Sequence, residues 1–216
     1  MTAPAEPSGT HLYLVRHGAT EANERVPYIL QGSGIDLPLS PRGRDQAAAL
    51  ARFFSQRPIR RVYSSGMARA RETARAIAGA LGHEPGILAD IQECHVGRWE
   101  GLDWETIRRE FPAEHQRFLD NPAEQPYLGG ESYGDVFRRA HPVIDRLLDQ
   151  HAGEEIVVVA HNVVNRVLTA HLLGLEIRQA QALHQGNGCI NLIRRRAGRT
   201  ELVTYNTLFH LNEREG

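Results

Sequence analysis

The 216-residue sequence predicts an α/β protein with a largely parallel sheet. Three observations carry that expectation. Short runs of Leu, Val and Ile alternate with segments whose apolar residues recur at helical spacing. One run, Ile156-Val157-Val158-Val159, is apolar at every position, as a strand covered on both faces must be. Helix punctuation falls between the runs: Ser40-Pro41 and Ser132 as starts, Gly82 as a stop.

Residues 1–10 read as a flexible tail and 11–216 as one domain. Leu12 to Val15 is a first buried strand, followed by an irregular stretch from Gly18 to Leu39. Ser40 caps a helix whose apolar stripe is Ala47, Leu50, Ala51 and Phe54. Arg61 to Ser64 is a second strand, Ala68 to Leu81 a second helix, and Ile87 to Ile91 a third strand. Residues 93–126 read as mostly helical, broken at Pro112 and Pro122, and form a cover over one edge of the fold. Ser132 caps a helix running to about Gln150, with a kink expected at Pro142. Glu155 to Ala160 is a buried strand and Val163 to Leu173 an amphipathic helix. Ile190 to Ile193 and Leu202 to Tyr205 form a terminal hairpin turning near Ala197-Gly198.

Composition excludes several functional classes. With 41% hydrophobic residues, extensive disorder is ruled out. No apolar run reaches the length of a bilayer span, and the N-terminus lacks the pattern of a secretory signal. No membrane partner is expected, and the expected compartment is the cytoplasm. Two cysteines, Cys94 and Cys189, cannot make a disulfide framework or a zinc ribbon. A net charge of -1 argues against nucleic acid. All 25 Lys+Arg positions are Arg. Chemistries that need a lysine are therefore excluded, and phosphate chemistry would rest on Arg, His and backbone N–H groups.

The chemistry-bearing residues fall at strand ends. Arg16-His17-Gly18 follows the first strand, where open α/β sheets bind ligands, with Thr20 and Asn23 adding neutral donors. Gly18 lets the backbone approach closely. Arg69 lies in the first turn of the second helix. Glu93 follows the third expected strand, and His161-Asn162 follows the fourth. Alone, each has an ordinary alternative: a hydrogen-bonded core His or a surface Arg. Together, two His, two Arg and one Glu on one sheet rim suit phosphoryl transfer. The other histidines show no zinc-ligand spacing, so no metal and no cofactor are expected.

These motifs resemble the histidine phosphatase superfamily, the phosphoglycerate-mutase-like fold, from about Leu12 to Tyr205. The resemblance implies a three-layer α/β/α sandwich. It places His17 as the phosphorylated nucleophile, Arg16 and Arg69 as the phosphate clamp, Glu93 as acid/base and His161 as the second histidine. Gln31-Gly32, Asp36, Pro38, Leu39 and Ser40 match a further family motif, and Gly130-Glu131-Ser132 with Arg139 matches a family helix start. The implied phosphate-binding set is Arg16, Gly18, Thr20, Asn23, Gln31, Gly32, Arg69, His161 and Asn162. Many relatives carry Gly where this chain has Asn162, whose backbone N–H is expected to stay available. His95 stands where relatives often carry Asp and is a candidate substrate contact. Val96-Gly97-Arg98-Trp99-Glu100-Gly101 resembles the phosphatase branch. The implied activity is a metal-independent phosphomonoester phosphatase working through phosphohistidine on a small metabolite, sugar phosphates included. A phosphoglycerate mutase and a non-catalytic phosphate-binding module are the alternatives. The oligomeric state is not legible.

Overall fold

The computed structural model describes residues 9–211. Most of the expected tail, residues 1–8, lies outside the described residues; Thr10, at its end, already opens the first strand. Six strands form one sheet: β1 (Thr10–Arg16), β2 (Ile59–Ser64), β3 (Gly86–Ile87), β4 (Glu155–Ala160), β5 (Ile190–Arg196) and β6 (Arg199–Thr207). Their order is β3-β2-β4-β1-β5-β6. The first four run parallel, and β5 and β6 add an antiparallel edge. The hairpin between them turns through Ala197 (φ 49°) and Gly198 (φ 76°), two left-handed residues whose twist matches the strands.

Alternation along the central strands divides the core in two. Leu12 and Leu14 of β1, with Ile156 and Val158 of β4, face one side. Tyr13, Val15, Val157 and Val159 face the other. On the first side lie α6 (Tyr133–Gln150) and α7 (Asn162–Leu172), with Ile91, Trp99, Ile107 and Phe118 packed against the same core. On the second lie α2 (Pro41–Ser55) and α3 (Ala68–Ala80), through Leu50, Phe54, Ala74 and Ile77; a single turn, α1 (Glu21–Glu24), precedes them in the chain. Each fully buried Leu or Ile contributes about 1.5–3 kcal/mol. This is the three-layer α/β fold implied by the resemblance.

Several elements differ from the sequence reading. The third strand ends at Ile87, and Ala89–Ile91 is a 3-10 turn. β3 is an edge strand whose only neighbour is β2, and β2 ends opposite Ile87 at Ser64, so the chain beyond has no ladder to join. Residues 93–103 hold a single 3-10 turn (Gly97–Trp99) and no α-helix, because Gly97 (φ 56°) and Gly101 (φ 78°) adopt backbone that an α-helix excludes. Helix begins only at α4 (Trp104–Glu110), capped by Asp103, whose carboxylate accepts the Thr106 N–H at 2.8 Å. Pro112 breaks α4 and also opens α5 (Pro112–Asp120) as its first residue. α6 runs through Pro142, which is exposed, so the lost backbone bond faces solvent. Among the described residues, no helix is long and apolar enough to cross a membrane.

Candidate active site

The parallel register brings the strand ends level. Arg16 pairs with Ala160 and Ser64 with Val159, so His17, His161 and Ser65 leave neighbouring strands on one rim. His17 is buried at 3% exposure. Its Nδ1 lies 2.7 Å from the Gly18 carbonyl, which can only accept, so Nδ1 carries the proton and Nε2 the lone pair. Arg69 Nε donates to that Nε2 at 3.2 Å. Burial, then Arg69, then Arg16, push the imidazole well below the usual histidine range, so it is neutral.

A loop cradles Arg69, which is 1% exposed. Its Nη2 donates to Gly32 O at 2.9 Å and its Nη1 to Ile35 O at 3.1 Å, with Asp36 at 3.7 Å. Asp36 also accepts the Ala68 N–H at 2.8 Å and so closes the N-terminus of α3, where Met67 offers no capping side chain. The Gln31-to-Asp36 motif thus fixes one guanidinium against one imidazole.

His161 Nε2 lies 2.6 Å from Ser65 Oγ, and its ring centroid is 5.1 Å from that of His17. Burial, then Arg69 and His17, push it well below the usual histidine range. His161 is therefore neutral in the free site. Arg16 donates from Nη1 to Gln185 O at 2.5 Å, and its Nε is buried without a partner. Burial lowers its pKa to about 10, so it stays charged at neutral pH.

Glu93 closes the site from the far side, in a loop rather than at a strand end. Its oxygens accept the backbone N–H groups of Cys94 (2.9 Å), Asn162 (2.9 Å) and Val163 (3.2 Å). The N–H of Asn162, expected to be available, is therefore engaged by Glu93. Asn162 is the first residue of α7, with His161 as the cap. Arg139 holds the Glu93 loop: it donates to Asp90 O and Gln92 O, each at 2.8 Å, and to Glu93 O at 3.2 Å. Glu131 locks Arg139 through two bonds of 2.8 and 2.9 Å. These contacts make Glu131 and Arg139 the support behind Glu93.

A pocket of about 460 Å³ opens over this rim, lined by Arg16, His17, Asn23, Gln31, Glu93 and Asn162 among others. The remaining expected contacts take indirect positions. Thr20 is fully buried and donates its hydroxyl to Gln31 Oε1 at 2.6 Å. Gly18 donates its N–H to Thr73 at 3.1 Å rather than offering it to a ligand. A Cβ on Gly18 would run into the Gly43 carbonyl, so this glycine serves the contact with α2. Gly32 gives its carbonyl to Arg69. His95 is exposed, and its N–H is held by Glu131 at 2.9 Å, outside the pocket lining. Among the described residues, no group of three His, Cys, Asp or Glu is placed to hold a metal ion.

The model of the histidine phosphatase superfamily, branch 1, matches residues 12–208. The chain belongs to this superfamily. Phosphoserine phosphatase 1 of Hydrogenobacter thermophilus is 31% identical over 202 residues, covering 94% of each chain. The metal-independent phosphoserine phosphatase of Arabidopsis thaliana is 31% identical, covering 94% of this chain and 84% of the relative. Among solved structures, phosphoserine phosphatase from Entamoeba histolytica in complex with 3-phosphoglyceric acid matches with a TM-score of 0.83. It has 28% identity and covers 94% of this chain and 99% of that one.

The histidine phosphatase site also contains residues that the sequence reading missed. Ser65 was visible only as a strand-end serine. Arg166 and His184 line the pocket. Arg166 had a usable signal: it lies four residues after Asn162 on the same helix, hence on the same face. His184 had none, since it sits in an irregular segment.

Neutral burial of two histidines makes stability pH-dependent. Unfolded, each binds a proton below about pH 6.5; folded, neither does until far lower. The unfolded chain therefore holds more protons below pH 6.5, and stability falls as pH drops through that value, while above it the contribution is flat. Each group adds at most about 1.4 kcal/mol per pH unit. His161→Gln should reduce the loss between pH 7.5 and 5.5, measured by urea unfolding, by roughly 1 kcal/mol. Identical pH slopes in the two proteins would show that the imidazole is not held neutral.

Proposed function

We propose that this chain is a phosphomonoester phosphatase acting on small phosphorylated metabolites through a phosphohistidine on His17. The observation that carries the reading is His17 itself: a neutral imidazole, fixed in one tautomer, whose Nε2 faces Arg69 beside Arg16 and His161. The Nε2 lone pair attacks phosphorus as the ester P–O bond breaks. Arg69 transfers its N–H from Nε2 to a phosphoryl oxygen, and Arg16 holds another. Burial and then the neighbouring cations keep His161 neutral in the free site; the dianionic phosphate offsets those cations, so His161 takes up a proton when the ester binds. Glu93 gives a proton to the departing alkoxide and then takes one from the water that breaks the P–N bond.

The named activities of the relatives support hydrolysis over isomerisation. The same phosphohistidine in a mutase would return its phosphoryl group to a sugar acid. The deciding experiment is a panel of phosphomonoesters, sugar phosphates included, with free phosphate and 2-phosphoglycerate both followed. Phosphate release is expected to exceed isomerisation of 3-phosphoglycerate. Rapid isomerisation that depends on a bisphosphate primer, with little phosphate released, would replace this reading by the mutase.

A further inference from the structure

We infer that Asn191 is a positioning residue for Arg16: with Gln185 and Asn206 it fixes the carbonyl that holds the guanidinium in place for a phosphoryl oxygen. The inference rests on the phosphatase reading, in which Arg16 is part of the phosphate clamp. Arg16 ends β1, and its Nη1 is tied to the Gln185 carbonyl. One anchored nitrogen fixes the plane of a rigid fork, and the Nε–H, buried without a partner, is left to meet an anion. The carbonyl lies in residues 183–189, which belong to no helix or strand. No ladder holds it, so side chains set its place. Gln185 is 1% exposed, and its carboxamide faces that of Asn191, which is fully buried. Each donates to the other: Asn191 Nδ2 to Gln185 Oε1 at 2.9 Å, and Gln185 Nε2 to Asn191 Oδ1 at 3.1 Å. The Cys189 thiol donates to the same Gln185 Oε1 at 3.0 Å.

The anchor of this pair is built into the sheet. Asn191 Nδ2 also donates to Leu14 O on β1 at 3.1 Å, and its Oδ1 also accepts the Asn206 N–H at 2.9 Å. Both hydrogens and both lone pairs of the carboxamide are therefore used, and the two backbone partners leave it one orientation. The Asn206 N–H reaches Asn191 because β6 bulges there. Ile190 pairs with Thr207 and Leu192 with Thr204, so Tyr205 and Asn206 stand opposite Asn191 alone. Asn206 takes φ 49°, a left-handed backbone that Asn tolerates better than most residues. Its Oδ1 accepts the Gly186 N–H at 2.8 Å, so the bulge grips the chain directly after Gln185. A fully buried strand position is ordinarily aliphatic; a saturated polar network there specifies one geometry instead. That network ends at the bond to Arg16.

The test uses inorganic phosphate as the probe. Asn191→Leu keeps the volume of the side chain and removes its hydrogen bonds. Asn206→Gly keeps the left-handed backbone and the N–H to Asn191, and removes only the bond to Gly186. Asn206→Asp keeps that acceptor. Phosphate binding by calorimetry is expected to weaken about 10-fold in Asn191→Leu and about 3-fold in Asn206→Gly, and to stay near the wild-type value in Asn206→Asp. The kcat/KM for p-nitrophenyl phosphate should fall in parallel. In an Arg16→Lys background both losses should shrink below about 2-fold, because both act through Arg16. A residue that only stabilises the fold would lower the melting temperature and leave the phosphate affinity of the folded protein unmoved. Unmoved affinity in folded Asn191→Leu, or in Asn206→Gly should the former not fold, would overturn the inference, as would full additivity with Arg16→Lys. The phosphatase reading fails separately. If no phosphomonoester is hydrolysed and the phosphate affinity still depends on Asn191 through Arg16, that reading is lost and the positioning role stands.

Discussion

Replacing His17 with Ala should reduce turnover by on the order of 10⁴-fold or more, because it removes the Nε2 that accepts the phosphoryl group in the proposed mechanism. The sequence placed His17 at a strand end; the structure buries it there at 3% exposure, so the variant also has a folding cost. Ala leaves Arg69 Nε without its acceptor, a loss of about 1–3 kcal/mol. His17→Asn, which keeps a polar group near Arg69, is the companion variant. Both should be inactive, and at least one should unfold cooperatively near the wild-type temperature. The wild type should in addition yield an acid-labile, alkali-stable phosphoryl adduct under rapid quench, absent from both variants. Near-normal turnover in a folded variant would remove His17 from the mechanism.

The strand-end rule made much of this site legible. His17 and His161 follow apolar runs that could only be covered strands, and parallel neighbours deliver their next residues to one rim. Arg69 was visible because helix α3 starts four residues after β2 ends. Glu93 was found for a partly mistaken reason, since the strand expected before it ends at Ile87. What places it is long-range: Arg139 and Glu131, more than thirty residues away, pin its loop, and the first amides of α7 receive its carboxylate. Spacing along the chain carries no trace of such contacts. Charge states were equally hidden. His161 is neutral because it is buried and has Arg69 beside it, relations that only the packed structure supplies. The roles of Gly18 and Gly32 also depended on packing: each was read as a ligand contact, and each serves a backbone approach or an Arg69 bond.

Glu93→Gln should separate two roles that the geometry leaves to one residue. In the proposed cycle the carboxyl donates a proton to the leaving alkoxide and later accepts one from water. Gln can do neither, yet it keeps the size of the side chain. With a sugar or glycerol alkoxide leaving group, phosphorylation of His17 should slow by about 10²–10⁴-fold. With a nitrophenolate, which departs without a proton, that step should slow far less. Hydrolysis of the phosphoenzyme should slow equally for both, because the intermediate is the same. The anchoring contacts supply the control. Glu93 accepts from Asn162 and Val163, and the Gln amide can point only its oxygen at them, so some loss of placement is expected whatever the ester. That part cancels in the ratio of the two phosphorylation rates from stopped-flow bursts. An equal slowing for alkoxide and nitrophenolate would make Glu93 a positioning residue at the start of α7. The proton would then have to come from another group at the same rim, and His161, with its ring 5.1 Å from that of His17, is the side chain to test next.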